Sequence, residues 1–151
     1  MMASGEIRLL PTTMRRMPVL AQSQKQPDPR CQKPLPGNST VTKNVNFLRQ
    51  LTYMSGGQGA PFVAWLLNVA PGGKWDYKQS GQPGSEMMGN FNFGATGSDF
   101  FSPTTLLSGA GIVQLLTLPS NSSGGIPFVM PPYGDESGDQ IDIQAGIDAG
   151  C

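Results

Sequence analysis

The sequence predicts a mainly α protein: a compact helical domain with long Gly/Pro-rich loops and an irregular N-terminal arm. Three observations carry this. Apolar residues recur at helical spacing in several segments. Runs of β-branched residues that would read as strands are few. The 20 glycines and 14 prolines among 151 residues approach the ~25% level at which unstructured segments set in. Only 13% of residues are charged, too few for a charge-driven disordered chain. The length suits one domain with one core.

Residues 1–38 read as a Pro-rich basic arm. Pro11, Pro18, Pro27, Pro29, Pro34 and Pro36 exclude a helix or a central strand there. Residues 39–151 form the helical domain. A first helix fits Thr40 to Met54, with Ser39 and Thr40 as capping residues and Val41, Val45, Leu48 and Leu51 on one face. Gly56-Gly57 ends it. A second fits Pro61 to Val69, where Phe62, Val63, Trp65, Leu66 and Leu67 cover all sides and predict burial. Gly89-Asn90-Phe91-Asn92-Phe93-Gly94 alternates aromatic and amide residues, and reads as a structured loop. That alternation sends Asn90 and Asn92 one way and the two phenylalanines the other. A third helix fits Pro103 to Leu118, capped by Ser102, with Gly109 and Gly111 permitting close packing. Residues 120–134 read as a loop. In the last segment Ile141, Ile143, Ala145 and Ile147 alternate as in a strand, yet Asp139 is a good N-cap and Ile143 and Ile147 are four apart, which favours a helix.

There is no histidine. This excludes Ser-His-Asp and Cys-His hydrolases, paired-histidine ribonucleases and His-ligated zinc, and two cysteines cannot make a four-thiolate site. Chemistry must come from carboxylates, Lys, Arg, Tyr, Ser or Thr, with a divalent metal as a possible aid. Cys31 and Cys151 read as free thiols suited to synthesis in the cytoplasm; the alternative is a bridge tying the arm to the last residue. No apolar run reaches the ~20 residues of a membrane span, and the start has no clear secretory signal.

The formal net charge is zero, but the charges are segregated. Residues 1–50 carry eight basic and two acidic side chains; residues 51–151 carry Lys74 and Lys78 against eight acidic ones. A basic arm on an acidic body either meets a polyanion or docks on its own body.

Two stretches stand out. One is Gly72-Gly73-Lys74-Trp75-Asp76-Tyr77-Lys78, followed by Gly89-Asn90-Phe91-Asn92-Phe93-Gly94-Ala95-Thr96-Gly97. The other is Tyr133-Gly134-Asp135-Glu136-Ser137-Gly138-Asp139-Gln140, followed by Ile143, Gly146 and Ile147. With Leu106-Leu107-Ser108-Gly109-Ala110-Gly111 and Gln114 between them, these blocks resemble the bacterial polymorphic toxin type 44 family over about residues 45–149. Lys74 stands where that family usually has Pro, Phe93 replaces a Tyr, and Glu136-Ser137-Gly138 replaces an Asp-Pro-x turn. The resemblance implies an antibacterial effector domain of the kind carried at the end of large delivery proteins. It also implies a partner immunity protein, and a predicted ribonuclease activity. It further implies synthesis in a bacterial cytoplasm and delivery to target cells.

The candidate catalytic residues are Asp76, Lys78, Asn90, Asn92 and Asp135. A carboxylate such as Asp76 or Asp135 would deprotonate a 2′-hydroxyl, Lys78 would stabilise the phosphorane, and the two asparagines on one face would orient the phosphate. Lys74, Tyr77, Asp139 and Gln140 are candidate substrate-binding residues. The competing structural reading makes Asp76 a turn cap, Trp75 and Tyr77 core anchors, and Asp139 a helix cap. The acidic body argues against RNA, because phosphate contacts need Lys and Arg. A second function is therefore hydrolysis of a cell-wall glycan by paired carboxylates, Glu86 or Glu136 with an Asp. A third is a non-enzymatic structural or binding module of a phage or secretion particle.

Overall fold

The computed structural model describes residues 26–117 and 129–151, with side chains described outside 113–117. Residues 1–25 and 118–128, which include most of the expected arm and part of the expected loop over 120–134, lie outside the described residues. Five α-helices follow in order: α1 Val41–Ser55, α2 Gly59–Val69, α3 Ser85–Gly97, α4 Pro103–Thr117 and α5 Ser137–Asp148. Among the described residues there is no strand. The mainly α architecture is as the sequence predicts.

α1 begins where its caps place it. The Thr40 hydroxyl accepts from the Lys43 amide, and Gly56 closes the helix in the left-handed conformation at φ 68°. Val41, Val45 and Leu48 are buried, and Asn44 lies buried among them. α2 starts at Gly59, two residues before Pro61. Its expected all-round burial is corrected: Trp65 and Pro61 face the core, whereas Val63, Leu66 and Leu67 are at least half exposed. Trp65 packs with Phe93, Phe100 and Phe101 at ring separations of 5.3, 6.2 and 5.5 Å, so one edge of α2 supplies its contacts.

The main correction is α3. Gly89–Gly94, read as a loop from the aromatic–amide alternation, lies within a helix over Ser85–Gly97. Three glycines, two asparagines and Phe91 give this segment a poor intrinsic helix propensity, so tertiary packing makes the helix. α3 and α5 are the most intimately packed pair. A Cβ on Gly94 would strike the Ile143 carbonyl, and a Cβ on Gly146 would strike the Phe91 carbonyl. Glycine at both positions lets the two backbones touch. Gly111 likewise lies against the Tyr133 backbone, but Gly109, expected to do the same, faces open space.

α5 settles the ambiguous last segment as a helix. Its N-cap is Glu136, three residues before the expected Asp139, and Asp139 lies in the first turn. The cysteines are also corrected: Cys31 and Cys151 form a disulfide. The bridge fastens residues 26–39, a strap containing the short 3-10 turns Pro29–Gln32 and Pro36–Asn38. Cys31 and Leu35 enter the core, the Asp28 amide donates to the Ala149 carbonyl at 3.1 Å, and the Arg30 guanidinium stacks 4.4 Å over the Phe91 ring.

Candidate functional site

A third 3-10 turn, Tyr77–Ser80, carries the site. It packs on α3, where a Cβ on Gly89 would come into van der Waals contact with Tyr77 and Lys78. Tyr77 points inward and Lys78 outward, so the turn divides two polar groups.

The inner group is a hydrogen-bond cluster centred on Asn44. The Asn44 amide nitrogen donates to Tyr77 Oη at 2.9 Å and to Asn92 Oδ1 at 2.8 Å. Ser39 Oγ donates to Asn44 Oδ1 at 2.7 Å. Burial pushes the Tyr77 phenol up, against smaller opposing effects of Asn44 and Ser39. Deeper in, the Trp65 indole donates to Thr96 Oγ1 at 3.0 Å, and that hydroxyl donates to the Asn92 carbonyl. These bonds join strap, α1, α2, α3 and turn through groups that burial obliges to pair.

The outer group is built on Lys78. Its ammonium donates to Asp139 Oδ2 at 2.7 Å and lies 3.7 Å from Glu86 Oε1. Burial acts to lower the lysine's pKa, but the Asp139 hydrogen bond and the charges of Asp139, Glu86 and Asp135 outweigh it, and the net shift is upward. Asp135 is almost completely buried. Its carboxylate accepts from the Glu136 amide and from Gln140 Nε2, both at 2.9 Å, and Gln140 also donates to the Leu107 carbonyl. Burial pushes the Asp135 carboxyl up; the hydrogen bonds from Gln140 and Glu136 oppose this, Asp139 adds to it and Lys78 opposes it. Asp142 is raised by burial first, then by Asp139 and Glu86, against Arg30 and Lys78.

The structure thus brings Lys78, Asp139, Asp135 and Gln140 together and adds Glu86. It does not put Asn90 and Asn92 on one face. Two residues along a helix is about 200° of rotation, so the expected pairing on a phosphate is corrected. Both side chains are buried, and the Nδ2 atom of each is without a hydrogen-bond acceptor among the described residues. Asp76 accepts from the Gly72 amide at 2.8 Å and shapes the turn. Lys74 lines a separate cleft of about 370 Å³ with Ser39, Trp75 and Tyr77. Among the described residues no three Asp, Glu, Cys or His side chains converge as a metal-ligand set.

Asn44 is the functional-site neighbour that sequence reasoning missed. Its signal was an amide on the apolar face of the first helix, between Val41 and Val45.

The blocks that build the outer group can be compared with known families. A family model described as bacterial toxin 44 matches residues 81–150. Over these residues the chain is similar to the bacterial toxin 44 family. The match takes in α3, α4 and α5, with Glu86, Asn90, Asn92, Asp135, Asp139 and Gln140. The turn that supplies Tyr77 and Lys78 lies just before it. The matched segment therefore holds the acids and amides, and the preceding turn delivers the lysine. No curated protein and no solved structure matches the chain. No helix among the described residues is long and apolar enough to cross a membrane.

Proposed function

We propose that this bacterial toxin domain is a hydrolase of a cell-wall glycan, with Glu86 and Asp139 as its carboxylate pair and Lys78 between them. One observation carries the reading. The two carboxylates lie 3.7 and 2.7 Å from the same ammonium nitrogen, which bounds the separation of those oxygens to at most 6.4 Å. Carboxyl groups about 5–5.5 Å apart suit a retaining glycosidase, whereas an inverting pair needs roughly 6.5–9.5 Å to admit water. Asp139, fixed by Lys78, is the nucleophile; Glu86, at the open edge, is the acid and then the base.

The same geometry weakens the reading of RNA as substrate. A phosphodiester needs uncommitted cations. The charge of Lys78 is already answered by two carboxylates, and Asp135 and Asp142 add further negative charge. A neutral sugar polymer meets no such repulsion. The Cys31–Cys151 bridge supports action in an oxidising compartment outside the cytoplasm. Delivery by a larger carrier, and protection of the producing cell by an immunity protein, accompany the toxin class.

The test is direct. Purified oxidised protein is incubated in parallel with isolated bacterial sacculi and with total RNA. New reducing ends from sacculi, lost in Glu86→Gln and Asp139→Asn, are expected. Degraded RNA with intact sacculi would overturn the glycan reading and restore the ribonuclease. Activity on neither would favour a non-enzymatic module.

A further inference from the structure

We infer that the Cys31–Cys151 bridge is the switch that assembles the site, so that the chain is incomplete while its cysteines are reduced. The inference holds whichever substrate the site takes.

The strap cannot hold itself. Its only regular structure is two 3-10 turns of four and three residues, too short to persist alone. Its fixed points include the bridge, the buried Leu35, the Asp28–Ala149 backbone bond, the Arg30 stack on Phe91, the Lys43 bond to the Asn38 carbonyl, and two bonds to Thr42, one from Gln32 and one to the Cys31 carbonyl. Its last residue, Ser39, donates to Asn44, which holds Tyr77. Tyr77 is joined through one peptide bond to Lys78, the centre of the outer group. A single covalent fastening therefore stands at the head of a chain of contacts that ends at Lys78.

The helices have other support. The α3–α5 crossing is made by backbone contact at Gly94 and Gly146, to which the strap adds the Arg30 stack on Phe91 and the Asp28 bond to Ala149. Losing the bridge releases the strap and the turn while α3 and α5 stay packed. Chemically, the two thiols of the reduced chain transfer two electrons to an external disulfide oxidant. One sulfur forms a mixed disulfide, the second displaces it, and two thiols and the closed bridge result. Cys31 is fully buried in the assembled state and Cys151 is half-buried, so an external dithiol enters at Cys151.

Hydrogen exchange followed by mass spectrometry tests this on the full chain, oxidised and after reduction. The Cys31→Ala/Cys151→Ala variant serves as a second route to the open state. Exchange of amides 28–40 and 74–80 should rise at least tenfold in the reduced chain and in the variant, with α3 and α5 still protected. Unchanged protection at 74–80 would overturn the inference, because the bridge would not govern the site. Collapse of protection in α3 and α5 together with the strap would overturn it as well, because the bridge would then be a staple for the whole fold.

Discussion

Gly94 and Gly146 occupy reciprocal positions across the α3–α5 crossing, each facing a backbone carbonyl of the partner helix: Gly94 that of Ile143, Gly146 that of Phe91. Alanine at either position gains up to about 1 kcal/mol of helix propensity. Its methyl group then meets rigid backbone, and overpacking of this kind costs about 1–3 kcal/mol or more. Gly94→Ala and Gly146→Ala should each lower the urea midpoint. Gly109→Ala, in open space on α4, should raise it. A stabilised Gly146→Ala would contradict the close crossing.

Removing the lysine should separate stability from activity. The Lys78 side chain is 41% exposed, and ion pairs this open contribute about 0–1 kcal/mol. Lys78→Met should leave the thermal midpoint within a few degrees of the parent. Its activity on sacculi should fall at least a hundredfold, because nothing then fixes Asp139. Wild-type turnover in Lys78→Met would remove the lysine from the mechanism.

Asn44 should matter for folding more than any surface charge. Asn44→Ala strips partners from Ser39, Tyr77 and Asn92 at once. Buried polar groups left unpaired cost about 1–3 kcal/mol each, so a loss of roughly 2–4 kcal/mol is expected in urea denaturation. The Tyr77 phenol should also become harder to ionise, because it loses the Asn44 hydrogen bond that opposes the effect of burial, read as a higher midpoint in ultraviolet titration.

The buried Asp135 gives stability a definite slope with pH. Its folded carboxyl is raised above the ordinary value of 3.8, by burial first. The native chain therefore binds more protons than the unfolded chain between those two values, and stability falls as pH rises through that window. The contribution is complete below 3.8 and lost above the folded value. Asp142 acts in the same direction. Urea midpoints between pH 4 and 7 should decline less steeply in Asp135→Asn. An identical slope would show that Asp135 keeps its proton affinity on unfolding.

What the sequence disclosed follows from where local signals were strong. Thr40 and Gly56 mark the ends of α1 because a hydroxyl cap and a left-handed glycine are local devices. α3 was hidden because its helicity comes from α5: Gly94 is a poor helix residue until Gly146 lies opposite it. The alternation of Asn90, Phe91, Asn92 and Phe93 then imitated a period of two. α2 misled in the opposite direction, since Val63, Leu66 and Leu67 are apolar yet exposed. Lys78, Asp139 and Gln140 were legible as separate blocks of one pattern, but their meeting across 61 residues was not. Glu86 joined them only once residues 85–97 became a helix.

The Asp28–Ala149 hydrogen bond and the neighbouring bridge place residues 28–31 beside residues 149–151, so the two ends of the described segment lie side by side. The same adjacency permits rearranged connectivity. Joining these ends with a short linker and opening the chain at the exposed Gly56-Gly57 turn should give a permutant that keeps the native helix packing.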